Sequence, residues 1–339
     1  MPPADQAVAQ LGMTCVLAPA NLDNQGSDEG DENEYSFVTS KGRPMTAPWV
    51  GCLHPGEMGS ALAALIVRNG FQVCWTAAGR SEATRARAAR AGLLETGSLA
   101  AMCKASEMIM SICPPHAALD VARQVAAQGY RGIYVDANAI SPAHAQAIQH
   151  MICGHGGRFV DAAVVGPPPL AGTDTRLYLC GEAAGEVAGY FAGSALQVEI
   201  LGPEVGRASA IKMCHSAVHK GLLALQLATF AAAEKMGVRA ELENLFASRA
   251  STAPYVTAME ENLRRVAKAG RFAGEMDEVA QTLVSMGLPS GFHHAAAEIY
   301  GRLSGQENRS EPLSPERLFN VLLETQVHED ERADEHASR

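Results

Sequence analysis

Apolar residues between positions 49 and 181 fall into short runs that alternate with segments of helical spacing. A short apolar run is typical of a buried strand, and apolar positions every three or four residues are typical of one face of a helix. We predict strands at 49–53, 71–75, 108–112, 132–136, 158–165 and 177–181, and helices at 57–69, 82–91, 116–128 and 142–152. This alternation predicts a mostly parallel, doubly wound α/β sheet of the Rossmann type.

Beyond residue 204 only helical spacing remains. We predict helices at 207–236, 240–248, 253–269, 275–286, 290–304 and 315–327. Ser314 followed by Pro315 is typical of a helix start, because a capping hydroxyl precedes proline at the first helical position. The sequence thus predicts an α/β domain at 47–203 followed by an all-α domain at 204–328.

The net charge of −10 lies in the two ends of the chain. Residues 1–48 hold seven acidic and two basic side chains, residues 306–339 hold nine and four, and the 21 acids and 21 bases between them balance. We therefore expect a flexible acidic extension at 1–46 and an acidic tail at 329–339. Because there is no basic stripe and no run of about 18 apolar residues, we expect neither a nucleic acid nor a membrane as partner.

The eight cysteines include no CxxC pair, and four of them lie in apolar runs, at positions 52, 74, 113 and 180. Buried free thiols in a chain of this length favour a reducing compartment, so we expect a cytoplasmic protein. His150, Cys153 and His155 cluster loosely without a second ligand pair nearby, so we expect no metal site.

A turn with two glycines follows the first predicted strand. Residues 54–59 are close to the dinucleotide fingerprint G-x-G-x-x-G, with His54 where the first glycine is expected. Gly56 would let the backbone approach a pyrophosphate, and Gly59 would let helix and strand pack closely. We expect cofactor contacts from Leu53, His54, Pro55, Gly56, Glu57, Met58 and Gly59. A strand-to-helix turn that binds nothing is the alternative.

The second predicted strand is followed by Arg80 and Ser81, with no carboxylate to bind the ribose hydroxyls of NAD. An arginine here, helped by Ser81, Thr84 and Arg85, suits the 2′-phosphate of NADP. The sequence therefore predicts NADP as the cofactor. A solvated arginine at a helix start is the alternative.

Other strands end at the carboxyl edge of the predicted sheet, where ligands bind in this fold. One supplies Ile112, Cys113 and Pro114, which we expect to contact the cofactor. Asn138, Val165, Gly166 and Pro167 follow other strands and are candidate substrate contacts. The proline-rich turn after Val165 either shapes a pocket or is only a rigid loop.

The long predicted helix carries a polar face. Lys212, His215, Ser216 and His219 recur at i, i+3, i+4 and i+7 and share this face. A lysine in a cleft can donate a proton to a developing alkoxide, so Lys212 is a candidate general acid/base and the others are candidate substrate contacts. A solvated face or a dimer contact is the alternative. Lys220 is turned by about 80° from Lys212 at about 100° per residue and is left outside the face.

The order of these motifs over residues 49–305 resembles the superfamily of β-hydroxyacid and 6-phosphogluconate dehydrogenases. Residues 208–213, 274–278 and 291–293, with the turn at 53–59, resemble its phosphogluconate-dehydrogenase-like branch. The resemblance implies a Rossmann domain, a cleft between domains and a homodimer formed by the helical domain. It also implies a catalytic lysine on the long helix, whose position Lys212 matches.

Two departures from the family pattern concern the substrate. The family segment Asp-Ala-Pro-Val-Ser-Gly-Gly stands here as 161–167 without its serine, and the asparagine expected four residues after the lysine is Ser216. Both remove groups that bind the carboxylate of a hydroxy acid, which puts a small 3-hydroxy acid in doubt as substrate. Glu275, His293 and His294 carry no spacing signal and are expected to be structural.

The predicted function is hydride transfer between NADPH and a carbonyl or secondary alcohol, with Lys212 as general acid/base. Imine reduction on the same scaffold is one alternative, although imine-reducing relatives often carry another proton donor at the lysine position. A protein that binds NADP without catalysis is the other.

Overall fold

The computed structural model describes residues 49–169, 173–258, 269–305 and 314–324. The predicted extension at 1–46 and tail at 329–339 lie outside these ranges. Within them, no helix combines the length and the apolar character needed to cross a membrane.

The first half of the described chain forms an eight-stranded sheet in the order β3-β2-β1-β4-β5-β6-β7-β8. The strands are β1 Trp49–Cys52, β2 Gln72–Thr76, β3 Leu94–Thr96, β4 Ser106–Ser111, β5 Ile133–Asp136, β6 Arg158–Val165, β7 Arg176–Cys180 and β8 Gln197–Ile200. Every neighbouring pair is parallel except β6 with β7. The predicted mostly parallel, doubly wound sheet is confirmed.

Helices cover the sheet because its strands are apolar on both faces. Met108 and Val135 belong to one buried cluster, while their chain neighbours Ile109 and Tyr134 belong to another. Successive side chains of a strand point to opposite faces, so these strands need cover on both sides. The helices of this half are α1 Glu57–Arg68, α2 Glu82–Arg90, α3 Leu99–Ala105, α4 Ala118–Ala127, α5 Pro142–Gly154 and α6 Ala184–Gly189.

Four short elements of this half were not predicted: β3, β8, α3 and α6. β3 has only three residues, and β8 is mostly exposed, so neither contains a buried apolar run. The two helices have seven and six residues, too few to establish a helical period.

The second half is helical, as predicted. Its helices are α7 Arg207–Lys235, α8 Arg239–Ala247, α9 Ala253–Thr257, α10 Ala269–Ser285, α11 Gly291–Leu303 and α12 Pro315–Leu323. The predicted start of α10 at residue 275 is too late, because the described part of this helix already includes residues 269–274. Gly270 and Gly274 weaken the local helix propensity, but Ala269 is fully buried in the helical core, and tertiary packing overrides propensity.

A buried carboxylate of the sheet fixes the start of α7. Asp161 of β6 accepts hydrogen bonds from the amides of Gly206 at 2.9 Å and Ser209 at 3.1 Å, and from the Ser209 hydroxyl at 2.6 Å. Gly206 has a φ of 106°, a left-handed conformation that favours glycine. A carboxylate pairs the first amides of a helix and interacts favourably with its dipole. The polar face of α7 is thereby held against the carboxyl edge of the sheet.

Candidate active site

The turn between β1 and α1 requires glycine at one position and leaves open space at another. A Cβ at Gly59 would lie 2.3 Å from the carbonyl oxygen of His54, so only glycine lets α1 pack this closely. A Cβ at Gly56 would meet no atom within 4 Å, and α1 begins after Gly56 without a side-chain cap. Open space at an uncapped helix start suits a phosphate group.

Arg80 lies against this turn, and its Nη2 donates to the carbonyl oxygen of Leu53 at 3.5 Å. The Nε of Arg80 and the Nδ1 of His54 are buried and have no hydrogen-bond partner among the described residues. Leaving a buried polar group unpaired costs about 1–3 kcal/mol, so a ligand that paired these atoms would be favoured. Burial and the charge of Arg80 lower the pKa of His54 to about 4, so its imidazole is neutral. The residues present therefore fit a dinucleotide at this turn.

The neighbours of Arg80 differ in their contacts. Ser81 caps α2 by accepting from the amide of Thr84 at 3.3 Å, and Arg85 donates to a backbone carbonyl at 2.9 Å. Arg87 was absent from the predicted site. Its Nη2 donates to the Thr84 hydroxyl at 3.1 Å and its Nε to the carbonyl of Pro55 at 3.5 Å. A second guanidinium group thus reaches the same turn.

The ends of β4 and β5 meet in a buried polar network. Asn138 accepts from the amide of Cys113 and donates to the Ser111 hydroxyl at 3.2 Å and to Asp136 at 2.9 Å. Burial raises the pKa of Asp136 to about 7 and that of the Cys113 thiol to about 12. These side chains hold the two loops together. Asn138 is not among the residues that line the cleft described next, so the substrate contact predicted for it finds no support.

A cleft of about 740 Å³ lies between the carboxyl edge of the sheet, α7 and α10. Predicted residues that line it are Glu57, Met58 and Ile112, then Val165, Gly166 and Pro167, and finally Lys212, His215, Ser216 and His219. The predicted cofactor contacts Cys113 and Pro114 do not line it: Cys113 is buried and Pro114 precedes the short turn before α4. The cleft therefore joins three groups of residues that are far apart in sequence.

Lys212 projects from α7 into this cleft. Its Nζ donates to the carbonyl oxygen of Val164 at 2.9 Å and lies 4.0 Å from Oε1 of Glu275. The side chain is 19% exposed, so the amine remains reachable from the cleft. His215 and His219 stack beside it with ring centroids 5.3 Å apart. Burial, followed by the charges of Lys212 and Lys220, lowers the pKa of His215.

Lys220 and Glu275, which were left out of the predicted site, also line the cleft. Lys220 donates to Oε2 of Glu275, and the Ser216 hydroxyl donates to Oε1. Burial alone would raise the pKa of the Glu275 carboxyl, but Lys220 and Lys212 outweigh it and lower the pKa to about 2. Arg271 and Phe272 of α10 complete this side of the cleft. Glu275 is therefore an ionised, buried carboxylate of the site.

A helical wheel could have indicated Lys220, because Ser216 lies about 40° from both lysines. The polar face is thus wider than the four residues assigned to it. No local signal identifies Glu275, which meets Lys220 across 55 positions of sequence. Among the described residues, no cluster of three or more His, Cys, Asp or Glu side chains could hold a metal ion.

Two family models match the chain. The NAD binding domain of 6-phosphogluconate dehydrogenase matches residues 50–187, and a domain of unknown function (DUF1932) matches residues 233–303. The conserved protein MTH1747, whose structure is described as similar to 3-hydroxyacid dehydrogenases, is 30% identical. The match has a TM-score of 0.55 and covers 75% of this chain and 96% of that one. The chain belongs to the superfamily of β-hydroxyacid and 6-phosphogluconate dehydrogenases.

Two further comparisons are a sequence relative and a solved structure of the same fold. The "uncharacterized 28.5 kDa protein in 7S RNA 5′ region" of Methanothermus fervidus is 30% identical over 193 residues, which are 57% of this chain and 74% of the relative. A 3-hydroxyisobutyrate dehydrogenase of Mycobacterium tuberculosis, solved with L-serine, shares the fold at 17% identity with a TM-score of 0.59, covering 82% of this chain and 99% of that one. The superfamily gives the chain an NAD-binding domain on a dehydrogenase or reductase scaffold.

Proposed function

We propose that the protein is an NADP-dependent oxidoreductase that transfers a hydride between NADPH and a carbonyl or secondary alcohol, with Lys212 as general acid/base. One observation carries this: Lys212 lines the same cleft as Glu57 and Met58 of the cofactor turn. A reduced nicotinamide supplies the hydride when it is bound, while the protein supplies orientation and the proton.

Arg80 supports the choice of NADP. Its Nε is buried beside the glycine turn without a partner among the described residues, and Arg87 reaches the same turn. Two guanidinium groups suit a phosphate, since each offers several donors in a fixed plane. We propose that Arg80 and Arg87 bind the 2′-phosphate, and that Gly56 and Gly59 give the pyrophosphate access to the helix start.

The contacts of Lys212 support its role in proton transfer. One of its three N–H groups donates to the carbonyl of Val164, and the side chain lines the cleft. Its nearest carboxylate, Glu275, is 4.0 Å away and already accepts from Lys220 and Ser216. Lys212 is thereby oriented while keeping N–H groups for a substrate oxygen.

Replacing Lys212 by alanine tests this role. We expect turnover to be lost while NADPH still binds with a Kd within about threefold of the original, because the side chain lies outside the phosphate-binding turn. Lys235→Ala is the matched control, since Lys235 is exposed at the far end of the same helix. Full turnover in Lys212→Ala would remove Lys212 from the mechanism.

The substrate group that reacts is tested separately. A panel of ketones, secondary alcohols, hydroxy acids and cyclic imines distinguishes carbonyl chemistry from imine reduction. We expect a carbonyl or alcohol to react, because Lys212 offers a proton that an alkoxide requires. Reaction of imines alone would favour the second function. Tight NADPH binding with no reaction would favour a protein without catalysis.

We also propose which part of the chain binds the cofactor and which part forms a dimer. Residues 47–203 bind the cofactor, and residues 204–328 complete the cleft and form a homodimer. Apolar side chains of α7 support the dimer, because Val218, Leu222 and Leu225 are 64%, 43% and 48% exposed at helical spacing. The seven cysteines in the described ranges are free thiols, which favours a cytoplasmic location.

A further inference from the structure

Two amines of α7 converge on one buried carboxylate of α10. The Nζ of Lys220 donates to Oε2 of Glu275, and the Nζ of Lys212 lies 4.0 Å from Oε1. The Glu275 side chain is 3% exposed, and the two lysine side chains are 15% and 19% exposed. A carboxylate removed from water in this way needs close partners, and Lys220 is the closer of the two amines.

Lys220 is fixed from several sides, whereas Lys212 is held more loosely. The Lys220 ammonium lies 4.4 Å from the centre of the Phe272 ring, and its backbone carbonyl accepts from the Tyr300 hydroxyl at 2.7 Å. Lys212 has a hydrogen bond to a backbone carbonyl and only a long contact with Glu275. The carboxylate of Glu275 therefore has one close amine partner, Lys220, and one distant amine partner, Lys212.

We propose that Lys220 and Glu275 are a positioning pair for Lys212. Lys220 occupies one carboxylate oxygen and Ser216 hydrogen-bonds to the other, so Lys212 stays at 4.0 Å from the carboxylate and not at hydrogen-bond distance. The Lys212 amine then remains available to the substrate. This inference rests on the proposed role of Lys212 in proton transfer.

The charges around Lys220 show what Glu275 contributes. Glu275 and Arg271 face Lys220 from α10, while Lys212 and His215 lie near it on its own helix. Burial lowers the pKa of Lys220 to about 8; Lys212 and Arg271 act in the same direction, and Glu275 opposes them. Because an opposite charge within hydrogen-bond distance favours the ionised form, Glu275 keeps Lys220 charged near neutral pH.

A titration of the protein without cofactor tests the pairing independently of activity. Only six lysines occur, at positions 41, 104, 212, 220, 235 and 268, so ε-labelled lysine can be followed by NMR with Lys220 assigned by substitution. Glu275→Gln removes the charge that favours the ammonium form, so we expect the Lys220 midpoint to fall by about one pH unit or more. The midpoint of the Lys235 signal, which serves as the control, should differ by less than about 0.2 pH units between the two proteins. An unchanged Lys220 midpoint would overturn the pairing.

The effect on Lys212 is read from the pH profile of kcat/KM for alcohol oxidation, which requires an unprotonated amine. The midpoint of this profile belongs to the coupled group of charges. In Lys220→Met, Lys212 is the one amine left beside Glu275, and the carboxylate stabilises the ammonium form of Lys212. The midpoint of the kcat/KM profile should therefore rise by about one pH unit. Glu275→Gln leaves two amines without their carboxylate, so the midpoint should fall. Lys220→Arg keeps the positive charge at this position, so its pH profile should match that of the original protein.

The double variant Lys220→Met/Glu275→Gln removes both charges, and we expect its midpoint to return toward the original value. If Lys220→Met alone does not fold, the double variant takes its place in the test. The midpoint of the double variant should then lie above that of Glu275→Gln. Midpoints unchanged in folded variants that bind NADPH would overturn the positioning role. If the original protein neither oxidises an alcohol nor reduces a carbonyl, the proposed function fails, and the lysine titration still decides whether Lys220 and Glu275 are paired.

Discussion

Replacing Arg80 by alanine tests whether the protein prefers NADP to NAD. Within the described ranges, the Arg80 side chain makes one long hydrogen bond, to the carbonyl oxygen of Leu53 at 3.5 Å, and its buried Nε has no partner. Because so little protein contact is lost, the free energy of unfolding without cofactor should fall by less than about 1 kcal/mol. The substitution should instead reduce the free energy of binding of a cofactor that carries the 2′-phosphate.

A hydrogen bond to a charged group contributes about 1.5–3 kcal/mol. Arg80→Ala should therefore raise the Kd for NADPH between about tenfold and about 150-fold, at roughly 1.4 kcal/mol per factor of ten. NADH has no 2′-phosphate, so its Kd should change by less than about threefold. Cofactor fluorescence measures both constants.

Arg90→Ala is the matched control, because Arg90 is exposed at the far end of α2. It should leave both dissociation constants unchanged. Equal weakening of NADPH and NADH by Arg80→Ala would refute the role of Arg80 and leave the choice between the two cofactors without support.

Four further substitutions test the cofactor turn, the dimer and the start of α7. Gly59→Ala places a Cβ 2.3 Å from the His54 carbonyl oxygen, so it should lower the melting temperature and weaken NADPH binding at least about tenfold. Gly56→Ala places a Cβ in open space, so it should weaken NADPH binding and leave the melting temperature unchanged. Leu225→Glu puts a charge on an exposed apolar face and should convert a dimer into a monomer in light scattering; a dimer that persists would move the interface elsewhere. Asp161→Asn removes the charge that holds the first amides of α7 and should cost about 2 kcal/mol in urea unfolding, and no change would contradict the capping role.

The sequence was sufficient for the parts of the fold that depend on local pattern. β6 was predicted to the residue, and the glycine turn was located because strand, glycine spacing and helix occur in one continuous segment. The short strand β8 was missed because its largely exposed residues have no apolar run to mark them.

The site was predicted only in part, because its remaining members are defined by tertiary contacts. Arg87 reaches the glycine turn through the fold of α2 across 32 positions of sequence, and no motif marks it. Glu275 is brought to α7 by helix packing. Conversely, Asn138 follows a strand at the expected edge, but it is hydrogen-bonded to Asp136 and Cys113 in a buried network and does not line the cleft.

Transfer of deuterium from NADPH that carries deuterium at both C4 positions of the nicotinamide tests the central claim most directly. The protein is incubated with the labelled cofactor and the panel of ketones and imines, and the products are analysed by mass spectrometry. We predict that one deuterium appears on the former carbonyl carbon of a ketone, and that Lys212→Ala gives no labelled product although it binds NADPH. Saturating NADPH binding with no deuterium in any product, or equal labelling by Lys212→Ala, would contradict the account.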